Sequence, residues 1–159
     1  MNLAHLAPTW LVAILYLVLL GAAAEDGWRL RISNVFPILV IAGAVVAAIL
    51  AGPTLALWQN LLLFAALLTV GTFLFSAGML GGGDVKMLAA CSLWFNLASG
   101  WKMLVAVAIA GGLIAIFLIS IRPAIGKPTA SWIVLRPRGG IPYGIAIAFG
   151  TATLAALLR

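Results

Sequence analysis

Gly81-Gly82-Gly83-Asp84-Val85-Lys86 sets three glycines and a carboxylate between two long apolar runs, and the reading of that stretch decides the fold. In a soluble domain it would be a surface turn. Here 65% of the 159 residues are hydrophobic and 8% are charged, with a mean hydropathy of +1.26, whereas soluble domains carry roughly 25% charged residues. The stretch therefore reads as a break between two membrane helices that holds an acid at the membrane surface.

A bilayer core of about 30 Å takes roughly 20 apolar residues per helix. The chain has room for five or six spans and none for a separate soluble domain. Outward from the glycines, spans are expected over Leu55 to Ala77 and Val85 to Ala98, then Leu6 to Ala24, Val35 to Ala51, Met103 to Ile121 and Ile141 to Leu158. The expectation is an all-α, polytopic membrane protein of six helices forming a single domain over 1–159. Turn chemistry separates the spans: Ser33-Asn34 before Pro37, Gly52-Pro53, the glycine trio, Ser99-Gly100, and Arg136 to Gly140 before Pro142. Ala22-Ala23-Ala24 resembles a leader cleavage site, but Met1 to His5 lacks Lys and Arg, so the first run reads as a retained helix. The fourth span is short for a crossing, which would sink Asp84 below the headgroups. Arg122 to Gly140 is the longest connection, and its Trp132-Ile133-Val134-Leu135 run could lie in the interface beside the acid.

Nine Lys and Arg against three acids give a formal charge of +6. The basic residues fall in loops, so lipid headgroups and topology explain them, and nucleic acid is not an expected partner. Arg29, Arg31, Lys86, Arg122, Lys127, Arg136 and Arg138 lie on one side, with Lys102 and Arg159 on the other. That bias puts both termini outside and Glu25, Asp26 and Asp84 on the cytoplasmic side. Trp10, Trp58, Trp94 and Trp101 then fall near outer helix ends, and Trp28 and Trp132 near inner ones, as in interfacial aromatic belts. Small residues recur every four positions at Gly144, Ala148, Ala152 and Ala156, and at Gly43, Ala47 and Ala51. Such faces let backbones approach closely, between helices of one chain or between copies in a homo-oligomer.

Acids at membrane depth are costly and mark function, which singles out Asp26 and Asp84. Two carboxylates sharing a proton can hydrolyse an amide: the ionised one takes a proton from water while the protonated one hydrogen-bonds the carbonyl under attack. That chemistry needs no cofactor and no metal. Asp26 follows the C-terminal end of the first helix and Asp84 opens the fourth, so helix dipoles favour Asp84 as the ionised partner and Asp26 as the protonated one. Structural alternatives stand beside each. Asp84 would serve as a helix N-cap and Asp26 as a solvated acid near Arg29 and Arg31, while the glycines, which would let a loop take unusual dihedrals and an extended substrate backbone come close, would otherwise be a flexible hinge. Lys86 is expected to reach the headgroups. A phosphate loop lacks its Walker spacing and Ser/Thr. His5 lies on the far side of the membrane from both aspartates, which removes a Ser-His or Cys-His nucleophile, and Cys91, the only cysteine, reads as a packing residue.

Three segments resemble the type IV prepilin peptidases, membrane aspartic proteases with a glycine-x-glycine-aspartate motif. Asp26-Gly-Trp-Arg-Leu-Arg-Ile32-Ser33-Asn34 is similar to the first-aspartate segment, with Ser33 where the family more often has proline. Gly81-Gly-Gly-Asp84-Val-Lys86 is similar to the second, and Ile141-Pro142-Tyr143-Gly144-Ile-Ala146 to a segment opening the last helix. The resemblance implies Asp26 and Asp84 as the catalytic dyad. It also implies Gly81, Gly82, Gly83, Lys86, Asn34, Pro142 and Tyr143 as supports for the substrate and its loops, a bacterial cytoplasmic membrane, and a prepilin whose short leader is cut on the cytoplasmic side. With one cysteine there are no paired CxxC motifs, so the chain resembles the short, peptidase-only branch of tight-adherence (Flp-type) systems, without methyltransferase activity. Three rivals remain: a small proton-coupled transporter or channel subunit with an intramembrane acid pair, a membrane scaffold, and a related protease that cuts within transmembrane helices.

Overall fold

The computed structural model describes residues 1–52, 56–125 and 140–159. Among them are seven helices and no strand: α1 (Leu3–Leu6), α2 (Thr9–Arg29), α3 (Val35–Ala51), α4 (Leu57–Ser76), α5 (Gly82–Ser92), α6 (Leu97–Ile125) and α7 (Tyr143–Leu157). By length and composition α2, α4 and α6 can cross a membrane, while α3 and α7 are shorter apolar helices. The Trp132 to Leu135 run lies outside the described residues.

Several expected boundaries move, and the clearest shifts have a local reason. The first helix begins after Pro8, which separates α1 from α2, and continues past Ala24 to Arg29. Arg29 pairs with Glu25 one turn back at 3.8 Å and lies where a cation suits the dipole. Leu30 ends the helix in the left-handed conformation (φ 52°), its N–H donating to the Asp26 carbonyl. The break expected at Ser99-Gly100 falls at Leu93 to Asn96 instead. Asn96 Oδ1 accepts the Ser99 N–H at 2.8 Å, an N-cap that starts α6 early. Gly100 is inside α6, where a Cβ would run into Leu63 of α4, so it is a packing glycine. What remains of the expected fourth span is α5, 11 residues and about 16 Å long, too short to cross a bilayer alone.

Helix α5 lies against α3, α4 and α7, and α7 also packs on α2 and α6. Leu19, Met87, Trp94, Phe95 and Met103 are buried where these elements meet. Trp94 was expected in an interfacial belt. It is in the core, 1% exposed, with its indole N–H donating to the Val40 carbonyl at 3.1 Å. Trp10, Trp28, Trp58 and Trp101 are exposed, as interfacial residues need to be. Of the small-residue face in α7, Gly144 and Ala148 are buried and Ala156 is exposed. Helices α6 and α7 approach closely at Gly150, whose missing Cβ would lie 2.6 Å from the Val107 nitrogen.

One end of the bundle gathers both termini. Arg159 donates to the Thr9 hydroxyl at 3.0 Å, and a His5 ring nitrogen lies 2.7 Å from the Leu158 carbonyl. Nearby, buried Asn60 donates to the carbonyls of Met1 and Leu93, both at 2.8 Å. Asn60→Ala strips two carbonyls of a partner, so it is expected to destabilise by about 1–3 kcal/mol and to lower the unfolding midpoint in detergent. Peptide-bond cleavage should change little, because Asn60 is at the end opposite the acids.

Candidate active site

At the other end, the last turn of α2, the segment 30–34, and the first turns of α5 and α7 converge. Asp26 lies within the last turn of α2 and is 3% exposed. Pro142, at the N-cap of α7, ends the preceding chain and points the free N–H groups of that helix at α2. The Gly144 N–H donates to Asp26 Oδ2 at 2.7 Å, with the Ile145 N–H as a second donor. The carboxyl of Asp26 thus leaves the negative end of its own helix and docks on the positive end of another. The dipole of its own helix is therefore not the only field on this carboxyl, since the Gly144 contact sets the positive end of α7 against it.

Asp84 is the third residue of α5, and Gly81 is the N-cap. Its carboxyl accepts the Gly81 N–H, one half of a capping box. It therefore supports the helix start from inside the first turn and is not the cap itself. Helix α5 is not among the helices long and apolar enough to cross a membrane by themselves. Burial pushes the Asp84 carboxyl up to about 6; the charge of Asp26 adds to the rise and the Gly81 N–H opposes it. Both acids line a single cavity of about 370 Å³ with Arg31, Ile32, Lys86 and the three glycines. At roughly 30 Å³ per molecule it has room for several waters.

The three glycines answer to space and not to unusual dihedrals. Gly81 is extended (φ −74°), Gly82 and Gly83 are helical, and positive φ among the described glycines is confined to Gly52 and Gly78. At Gly83 a Cβ would sit 2.9 Å from the Ile32 carbonyl oxygen, so the second acid motif can lie against the first only because the side chain is missing. Lys86 does not extend freely. Its Nζ donates to Asn34 Oδ1 at 2.9 Å, tying α5 to the segment after Asp26. Tyr143 is placed differently: it stands on the wall of a second, apolar groove of about 350 Å³ between α5, α6 and α7, which Asp84 also lines.

The solvated acid is Glu25. It accepts the Ser33 N–H at 2.9 Å and pairs with Arg29, outside the cavity of the two aspartates. His5 is at the opposite end, and Cys91 is buried in the core as a packing residue. Sequence reasoning missed Gly144 as a partner of Asp26, reading it as part of a packing face. The signal was present in Pro142-Tyr143-Gly144, a proline helix start followed by a residue without a side chain.

Together the two carboxylates and their water-sized space can activate a water and polarise a carbonyl. Against models of protein families, residues 13–120 match the type IV leader peptidase family, a stretch that takes in Asp26 and Asp84 and stops before Pro142. Comparison with curated proteins and with solved structures gives no match. With more than half of its length matched, and its helices built for a membrane, the chain belongs to the type IV leader peptidase family.

Proposed function

We propose that this protein is a membrane aspartic endopeptidase that removes the leader of Flp-like type IV prepilins at the cytoplasmic face of a bacterial inner membrane. The observation that carries the reading is the single cavity shared by Asp26 and Asp84. Both termini lie outside, as the distribution of Lys and Arg favours, and α5 with its following turn stands where a fourth span was expected.

In the proposed reaction Asp26, held on the N-terminus of α7, is the ionised base. It takes a proton from water as the oxygen attacks the scissile carbonyl. Asp84, protonated, hydrogen-bonds the carbonyl oxygen and transfers its proton to it as the tetrahedral intermediate forms. Return of the hydroxyl proton and delivery of one proton to the leaving nitrogen break the C–N bond, restoring one ionised and one protonated acid. This assignment reverses the dipole argument made from sequence, for the reason given by the Gly144 contact.

The sign of the pH dependence follows. Asp84 must hold a proton, and its carboxyl titrates at about 6, so kcat/KM is expected to fall as pH rises through about 6. An infrared protonated-carboxyl band below that pH should disappear in Asp84→Asn and persist in Asp26→Asn. A band that follows Asp26 instead would reverse the assignment.

Co-expression with an Flp-like prepilin, in a host without a peptidase of its own, tests the function. Mass spectrometry should find the pilin cut at one bond, and a pilin that keeps its leader would count against the proposal. The proton-coupled transporter reading is not favoured, because the acids sit at the end of α2 and the start of α5 and not midway along a span. A scaffold needs neither acid.

A further inference from the structure

Leu30 closes α2 with its backbone in the left-handed region (φ 52°, ψ 38°), and among the described residues it is the only non-glycine with a positive φ. A Cβ makes that conformation costly, so glycine, and less often asparagine, ends most helices of this kind. Strain of this sort persists where the surrounding structure holds it, and it gathers at functional sites. The Leu30 side chain has two neighbours. It lines the cavity of about 370 Å³ that contains both acids, and its Cδ1 is 3.4 Å from the place a Cβ on Gly140 would take. Leu30 is thus half-buried between the dyad and the chain that leads into α7. Of the other side chains around the cavity, those of Arg31 and Lys86 are charged and exposed, and Ile32 is buried against Gly83. Leu30 is the apolar side chain left at the rim.

We propose that Leu30 is a positioning residue of the site, its side chain forming an apolar wall of the cavity that withholds water from the two carboxyls. Its bearing on cleavage rests on the peptidase reading above; the wall itself does not. The wall acts on Asp84 through solvation. A carboxyl out of reach of water favours its neutral form, and burial is the largest cause of the rise of Asp84 to about 6. The titratable groups around Asp84 are Asp26 on α2, Arg31 in the segment after it, Lys86 on α5 itself and Tyr143 on α7. Helices α3 and α4, which also pack on α5, carry none. Arg122 of α6 donates to the Gly140 carbonyl at 2.7 Å. A neutral replacement of Leu30 leaves every one of these groups in place, so its effect on Asp84 reports the wall.

The test is the pH midpoint of the infrared protonated-carboxyl band of Asp84, identified by its loss in Asp84→Asn, in the full-length protein without substrate. Leu30→Asn keeps the helix end, because asparagine tolerates the left-handed region, and sets a polar amide where the apolar wall was. The midpoint is expected to fall from about 6 by about one pH unit, a tenfold change in the ionisation equilibrium. At pH 7 kcat/KM for leader removal should fall about tenfold with it, since fewer molecules hold the Asp84 proton. Leu30→Met, apolar on the same backbone, should keep the wild-type midpoint. If Leu30→Asn does not fold, Leu30→Gly, which the left-handed backbone favours, removes the wall and carries the same expectation. An unchanged midpoint overturns the wall, and so does a midpoint that moves equally in Leu30→Met, which would assign the change to packing alone. A shifted midpoint in a protein whose wild type leaves prepilin uncut would keep the wall and remove the peptidase reading.

Discussion

Asp84→Asn is expected to lower kcat/KM for leader removal by about 10³-fold or more while the protein stays folded. An amide keeps the shape of the carboxyl, and its oxygen can still accept the Gly81 N–H that starts α5, so the helix and its packing persist. The transferable proton is lost, and positioned acid–base groups of this kind contribute about 10²–10⁴-fold. Asp26→Asn should lose as much for the complementary reason: its oxygen can still accept from Gly144, but it can no longer take a proton from water. Single-turnover cleavage of a purified prepilin, together with the unfolding midpoint, checks both variants. Either one retaining more than about a tenth of wild-type kcat/KM, well above that range, would remove its aspartate from the dyad.

The second large effect is expected at a residue with no side chain. A Cβ on Gly144 would lie 2.8 Å from Asp26 Oδ2, 2.9 Å from Asp26 Cβ and 2.7 Å from Ile32 Cδ1. Real Cβ atoms do not come so close, so Gly144→Ala must push the α2 turn away from α7. Misplacing a catalytic group by about 1 Å costs on the order of 10²-fold. The loss should appear mainly in kcat, because substrate contacts elsewhere persist. Gly150→Ala provides the contrast. There the clash is with the Val107 backbone, far from the acids along α7, and the expected cost is a lower unfolding midpoint from spreading α6 and α7. If both variants lose stability and rate in the same proportion, Gly144 has only a packing role.

How far the sequence could be read differs from element to element. Helix α3 was legible end to end: Asn34 and Pro37 mark its start, and Gly52, with φ of 81°, stops it. Helix α4 falls within two residues of expectation for the same reason, an apolar run between turn residues. Helix α5 was not legible, because Leu93-Trp94-Phe95 is as apolar as any span and only the Asn96 cap betrays the break. Trp94 escaped the aromatic-belt rule because its N–H found the Val40 carbonyl inside the bundle. At the site, the two acids were legible as isolated charges in an apolar chain. Their electrostatics were not, since the field on Asp26 comes from a helix that begins over a hundred residues later in the chain.

That separation has a consequence for how the protein comes to be active. The contact between Gly144 and Asp26 joins residues 118 apart in sequence. Both aspartates precede α7 in the chain and are synthesised before it. Until that last helix inserts, Asp26 has no Gly144 N–H to dock on and the pair lacks its second anchor. In the proposed mechanism, a chain that ends before Pro142 carries both acids without the Gly144 N–H that anchors Asp26, and is expected to lack cleavage.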